Sequence, residues 1–134
     1  MRHTILVVSL TVLSTFGGAQ AQDAGVGGAL FAQYCATCHG TDAMGDGPLN
    51  DLMTTKAPDL TGLSARNDGS YPMLKVIHII DGRTGLRGHG GPMPTYGSVF
   101  DDEHGQSGSG DYSAILETRG RILSLAMFLE SIQQ

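Results

Sequence analysis

Apolar side chains recur at helical spacing in three segments of the chain, and no stretch alternates between apolar and polar residues as a half-buried strand does. In the first segment Val26, Leu30 and Tyr34 recur every four residues, which predicts one side of a helix. Three glycines in the same segment each cost roughly 1 kcal/mol relative to alanine. This helix therefore needs packing partners elsewhere in the chain.

The other two predicted helices follow longer stretches of irregular sequence. One extends from Tyr71 to Gly82, with proline in its first turn and glycine after its end. Residues 40–61 and 82–97 are rich in glycine and proline, which predicts two long loops. The last helix is predicted from about 113 to 131, with one apolar stripe formed by Ile115, Ile122, Leu125, Leu129 and Ile132. Three helices joined by long loops predict an all-α fold.

The first residues have the three parts of an export signal. Met1-Arg2-His3 supplies a positive start, residues 4–16 are apolar apart from serine and threonine, and Ala19-Gln20-Ala21 matches a small-residue cleavage site. The apolar stretch is shorter than the ~20 residues that a helix needs to cross a membrane. We therefore predict a signal peptide over 1–21 and a single domain over 22–134, in a periplasmic protein without a membrane span after cleavage.

Composition excludes several classes of protein. The chain has 134 residues, of which 40% are hydrophobic and 16% charged, too apolar a balance for a disordered tail. The 20 glycines follow no repeat, which indicates long loops that wrap around something. Lys and Arg number 8 against 13 Asp and Glu, a net charge of −5 without a basic stripe. Nucleic acid is therefore not an expected partner.

Both cysteines lie in Cys35-Ala36-Thr37-Cys38-His39, which has the C-x-x-C-H spacing of covalent haem attachment. On one turn of helix the two thiols reach the vinyl groups of one haem, and the next residue offers an imidazole to the iron. A disulfide, a thioredoxin-like redox pair and a zinc site are the alternatives. The redox pair needs a βαβ context, zinc needs further ligands, and a disulfide leaves His39 without a role. We expect one covalent haem c, bound by Cys35, Cys38 and His39.

A six-coordinate haem needs a second axial ligand, and a methionine thioether is the ligand that raises its potential. Met93 lies in Gly90-Gly91-Pro92-Met93-Pro94, where no apolar period would bury it and the prolines fix the backbone. We therefore expect Met93 on the iron, with His89 as its rival. The remaining candidates fit less well, since they belong to apolar stripes, lie close to His39 in sequence, or are expected at the surface: Met73, Met127, Met44, Met53, His78 and His104.

These residues resemble the class I c-type cytochromes, small bacterial monohaem electron carriers, over nearly all of residues 22–134. The resemblance is carried in chain order by Gly27, Phe31, Cys35-Ala36-Thr37-Cys38-His39-Gly40, Ala57-Pro58-Asp59-Leu60, Pro92-Met93-Pro94 and Leu125-Ala126-Met127-Phe128-Leu129. It implies the cytochrome c fold, in which three main helices and long loops surround one covalent haem.

The resemblance also implies roles for individual residues. Gly27 would let the first helix cross close to the last, with Phe31 and Phe128 packing there, and the carbonyl of Pro58 would orient the proximal imidazole. Tyr96 is a departure, because relatives with this kind of methionine loop often carry tryptophan three residues after the methionine. Residues 100–111 form a longer stretch than the shortest members of the family have.

Three functions fit this sequence. The favoured one is an exported, monomeric one-electron carrier, not an enzyme by itself, in which His39 and Met93 leave no coordination position for substrate. Its redox partners would be a donor dehydrogenase or bc1-type complex and an acceptor oxidase or reductase. The alternatives are a haem c subunit of a periplasmic oxidoreductase complex and, if Met93 does not bind the iron, a ligand-binding haem protein.

Overall fold

The computed structural model describes residues 19–82, 93–103 and 112–134, with side chains from residue 24 onward within these ranges. Here the chain forms helices and no strand, which confirms the all-α class. The α-helices are α1 (Ala19–Tyr34), α2 (Ala36–His39), α3 (Met73–Asp81), α4 (Tyr96–Glu103) and α5 (Tyr112–Ser131), and 3₁₀ turns lie at Asn50–Leu52 and Ala65–Asn67. No helix in these ranges is long and apolar enough to cross a membrane.

The first and last long helices, α1 and α5, cross in direct contact. Gly27 is buried at the crossing, where a Cβ atom would lie 2.7 Å from Phe128 Cβ and closer still to the Ser124 carbonyl oxygen. The rings of Phe31 and Phe128 pack beside it with their centroids 5.3 Å apart. The buried face of α1 thus follows Gly27 and Phe31, and Val26, one residue away, is 53% exposed. The repeat of Val26, Leu30 and Tyr34 therefore predicts the helix correctly, while its contact face is the one that carries Gly27 and Phe31.

Helix α3 occupies the middle segment, as predicted. It buries Val76 and Ile80, and it ends at Gly82, whose φ of 89° is left-handed and whose N–H bonds to the carbonyl of His78. A Cβ at Gly82 would lie 2.7 Å from Thr95 Cβ, so the end of α3 lies against the residues that precede α4. This contact brings together Gly82 and Thr95, which lie at or near the two ends of the loop predicted over 82–97, called the distal loop below.

Helix α4 was not predicted from the sequence, and its first residues fall within the loop predicted over 82–97. It buries Tyr96, Gly97 and Phe100, and it is joined to α5 by a hydrogen bond of 2.6 Å from Thr118 Oγ1 to Asp101 Oδ1. Glycine, serine and three acidic residues occupy most of its eight positions, so its few apolar residues do not form a recognisable helical period. The distal loop therefore ends before Tyr96.

The apolar stripe of α5 is buried only in its second half. Ile122, Leu125 and Leu129 belong to the core, whereas Ile115 is exposed, contrary to expectation. Beyond α5 the C-terminal residues return to the loop after the haem motif, where Gln133 Nε2 donates to the Leu60 carbonyl over 2.9 Å. The core thus lies between α1, α3, α4 and α5, with this loop covering one side.

We predict that Gly27→Ala destabilises the protein by about 1–3 kcal/mol, because the new methyl group meets the α5 backbone and overpacks the crossing. Gly25→Ala is the matched control, since it lies in the same helix and its Cβ would meet nothing within 4 Å. That control should gain up to about 1 kcal/mol of helix propensity. Denaturant unfolding of both variants measures the difference, and equal effects would contradict the close crossing.

Candidate haem-binding site

One apolar cavity of about 270 Å³ lies between α1, α3, α5 and the loop after the haem motif. All four side chains predicted to bind haem or iron line it: Cys35, Cys38, His39 and Met93. The rest of the described lining is mostly apolar: Phe31, Met53, Thr55, Lys56, Ala57, Pro58, Leu60, Leu63, Val76, Ile79, Ile80, Pro94, Tyr96, Leu125 and Leu129. Lys56 is the one charged side chain in this described lining, provided that His39 is neutral.

The haem motif forms a tight helical turn at the end of α1. The Cys35 N–H bonds to the Phe31 carbonyl over 2.8 Å, and the His39 N–H bonds to the Cys35 carbonyl over 2.9 Å. Gly47 lies against the turn, where a Cβ would come within 2.5 Å of the Thr37 carbonyl oxygen. The turn therefore presents Cys35, Cys38 and His39 to the same cavity.

The imidazole of His39 has one nitrogen occupied by the protein. Its Nδ1 lies 3.1 Å from the Pro58 carbonyl oxygen, and the residue is 8% exposed. A carbonyl can only accept, so Nδ1 carries the proton and Nε2 keeps its lone pair. Burial lowers the pKa of His39, only partly offset by the Pro58 carbonyl, which favours the neutral ring. A neutral imidazole with a free Nε2 is the form that binds iron.

The alternatives to haem at these cysteines fit the structure less well. Cys35 and Cys38 are not joined in a disulfide. Burial, together with the neighbouring Cys38, raises the pKa of the Cys35 thiol to about 11, whereas redox-active pairs need a lowered pKa. Among the residues that the structure describes, no three His, Cys, Asp or Glu side chains cluster as a metal site. A zinc site therefore has no further ligands in this part of the chain.

Met93 is half-buried in the cavity wall, between the end of α3 and the start of α4. Of the other methionines, Met53 also lines the cavity, which the sequence analysis did not anticipate. Met44 is 51% exposed and does not line it, and neither do Met73 and Met127. Among the histidine candidates, His78 is exposed as expected, while His89 and His104 lie outside the described residues.

Two thiols, a neutral imidazole and a thioether around an apolar cavity fit a covalent haem. The family model described as cytochrome c oxidase, cbb3-type, subunit III matches residues 22–107. Cytochrome c6 of Picosynechococcus sp. is 34% identical over 105 residues, covering 73% of this chain and 81% of that protein. The chain belongs to the c-type cytochromes. Proteins of this family bind haem c covalently, and no solved structure matches the chain.

Tyr96 contributes to the haem cavity of this cytochrome with its ring, while its hydroxyl group bonds elsewhere. The hydroxyl donates to the Tyr34 backbone carbonyl at the end of α1 over 2.6 Å, and the rings of Tyr34 and Tyr96 meet edge to face at 6.0 Å. Burial, with smaller effects from Cys35, Cys38 and Tyr34, raises the pKa of Tyr96 to about 12. Tyr96 thus joins α4 to the residue that precedes the haem motif.

Asn50 is a buried polar residue of the cytochrome that the sequence analysis did not single out. It is 8% exposed and lies in the 3₁₀ turn between the haem motif and Pro58. Its side-chain amide bonds to the Gly45 carbonyl and to the Ala57 N–H. No motif or apolar period marks such a residue, because its role depends on contacts between loop segments.

We predict that Tyr96→Phe lowers the free energy of unfolding by about 1 kcal/mol, because it leaves the Tyr34 carbonyl without this donor. The effect should depend on pH. The raised pKa means that the fold favours the neutral phenol, so this contribution is complete below pH 10 and is lost as the pH rises from 10 to about 12.

Denaturant titrations should therefore show that the difference in free energy of unfolding between wild type and Tyr96→Phe becomes smaller at alkaline pH. Tyr112→Phe is the matched control. Because Tyr112 is 72% exposed, its substitution should leave the free energy of unfolding unchanged over the same pH range. A difference that stays constant up to pH 12 would argue against the buried hydrogen bond.

Proposed function

We propose that this c-type cytochrome is an exported one-electron carrier with His/Met ligation. Cys35 and Cys38 hold the haem through thioethers, His39 is the proximal ligand and Met93 the distal one. The family assignment supports electron transfer as its role. With both axial positions occupied, no coordination site is left for a substrate, so the protein carries electrons without catalysing a reaction of its own.

The convergence of the predicted ligands on one cavity carries this proposal. His39 and Met93 are 54 positions apart in the sequence, yet both line the same cavity as the two cysteines. The His39 Nδ1 is committed to the Pro58 carbonyl, which leaves Nε2 as the nitrogen available for iron. A structural role for Met93 alone would not require it to line the same cavity as this imidazole.

The haem supplies the one-electron chemistry when bound, and the chain sets its environment. The largely apolar lining excludes water and disfavours additional charge, which favours the reduced state and raises the potential. The His39–Pro58 hydrogen bond acts in the opposite direction, because it makes the imidazole a stronger donor to ferric iron. The potential would follow from the balance of these two effects.

The proposal of export rests on the amino-terminal sequence. Residues 1–21 have the composition of a cleavable signal, and the family model begins to match at residue 22, the first residue after the predicted cleavage site. A periplasmic location fits covalent haem attachment and redox partners outside the cytoplasm. Amino-terminal sequencing of the mature protein should begin at Gln22.

A second candidate function is that of a haem subunit in an oxidoreductase complex. The description of the matching family as an oxidase subunit favours it, and so does an apolar group on α5 formed by the exposed Tyr112, Leu116 and Leu123. A carrier should elute alone as a monomer when a native extract is fractionated by size. Co-elution of its haem with a larger complex at all salt concentrations would favour the subunit.

We predict that Met93→Ala removes the weak far-red charge-transfer band of ferric Met–haem and lets the reduced protein bind carbon monoxide at neutral pH. The reason is that the distal position loses its thioether and becomes open. Mass spectrometry of the variant should still show one covalent haem, because Cys35 and Cys38 are intact.

Met53→Ala is the matched control, because Met53 lines the same cavity but is expected to leave the iron coordination unchanged. Its spectrum should retain the far-red band. Loss of the band in Met53→Ala with its retention in Met93→Ala would assign the ligand to Met53. Absence of the band from the wild type, with carbon monoxide binding gained only in His89→Ala, would assign it to His89.

A further inference from the structure

Asn50 connects two loop segments that meet beside the proximal ligand. Its Oδ1 accepts the Ala57 N–H over 2.7 Å, and its Nδ2 donates to the Gly45 carbonyl. The two contacts fix the orientation of the amide, because exchanging its oxygen and nitrogen would place donor against donor and acceptor against acceptor. Both polar ends of this buried side chain are therefore used.

The segment that follows Ala57 carries the carbonyl that bonds to His39. Pro58 has no N–H of its own with which to be anchored, so its position depends on its neighbours. On one side Ala57 is held by Asn50, and on the other the Leu60 N–H bonds to the Ala43 carbonyl over 2.8 Å. Asn50 thus holds Ala57, the residue directly before Pro58, by a hydrogen bond.

The other partner of Asn50 is itself joined to the haem motif. The Gly45 N–H donates to the His39 backbone carbonyl over 2.7 Å. Gly45 also has a φ of 82°, and a Cβ there would lie 3.0 Å from the Pro58 carbonyl carbon. Asn50 therefore holds Ala57 at a fixed position relative to Gly45, whose backbone contacts both His39 and Pro58.

We propose that Asn50 is a positioning residue that holds the Pro58 carbonyl against His39 Nδ1 and thereby tunes the potential of the haem. This rests on the proposed function, in which His39 binds the iron through Nε2. A hydrogen bond to the second nitrogen of a ligating imidazole fixes its orientation and increases its basicity. Weakening that bond makes the imidazole a poorer donor to ferric iron, and the potential rises.

Two variants of the mature holoprotein separate this effect from simple loss of packing. Asn50→Leu removes both hydrogen bonds while filling nearly the same volume, whereas Asn50→Ala removes them and leaves space for water. Both should raise the equilibrium constant for reduction by about tenfold, which is a rise in potential of about 59 mV for a one-electron couple. Asn67→Ala is the control, because that exposed amide bonds only locally to the Ser70 carbonyl and should leave the potential unchanged.

Spectroelectrochemical titration measures the potential, and NMR provides two further readouts, of which a purely structural role of Asn50 would change only the exchange at Ala57. The haem methyl shifts of the ferric protein report the orientation of the His39 ring, and hydrogen exchange of the Ala57 amide reports its contact with Asn50. We expect both to change in the two Asn50 variants and neither to change in Asn67→Ala.

Potentials equal to that of the wild type would overturn the proposal, even with faster exchange at Ala57, since the contact would then not reach His39. A lower potential in Asn50→Leu would also overturn it, because that variant leaves no new space for water and should only weaken the ligand. The wild-type spectrum tests the proposed function separately. A wild-type spectrum without a histidine-ligated haem contradicts the ligation by His39, and the positioning role of Asn50 falls with it, whereas a different distal ligand contradicts only the role of Met93.

Discussion

The close crossing of α1 and α5 at Gly27 is the constraint on which the rest of the structure depends. A glycine there allows the Ser124 carbonyl and Phe128 to approach the α1 backbone, and Phe31 then packs against Phe128. Because the haem motif begins directly after α1, the crossing fixes where its turn lies relative to Leu125 and Leu129, the α5 side chains that line the cavity. A helix with so many glycines has little intrinsic stability, so its position is determined by this packing. The placement of the cofactor site thus follows from one helix contact.

Polar side chains inside the protein join the remaining segments to the crossing helices and to one another. The Tyr96 hydroxyl joins α4 to the end of α1, Asn50 joins two loop segments, and Gln133 joins the C-terminal residues to the loop after the haem motif. Each connects segments that are far apart or irregular, where no regular backbone ladder is available to satisfy the polar groups. In a chain with long loops, such side chains supply the order that helices and sheets supply elsewhere.

The sequence predicted those features that are encoded locally. C-x-x-C-H spacing and the two prolines around Met93 pointed to four residues that line one cavity, and the resemblance anticipated the His39–Pro58 contact. The sequence did not predict α4. The buried residues of that helix are too few to form a helical period among glycine, serine and acidic residues. The apolar repeat that includes Val26 predicted the first helix, but its contact face, at Gly27 and Phe31, was anticipated only by the resemblance. Asn50 gave no signal, since an isolated asparagine in a loop is usually a surface residue.

The two proposed axial ligands are supported by different parts of the molecule. His39 is held by the loop that contains Gly45, Asn50 and Pro58, whereas Met93 lies between the end of α3 and the start of α4, where Gly82 meets Thr95. The hydrogen bonds around His39 and the contact between α3 and α4 involve no residue in common. Changes in the distal segment can therefore alter access to the iron without loosening the proximal imidazole, and changes around Asn50 can alter the donor strength of His39 without moving Met93. This separation would let the potential and the closure of the haem site be adjusted independently, which suits the proposed carrier, in which both ligands occupy the iron.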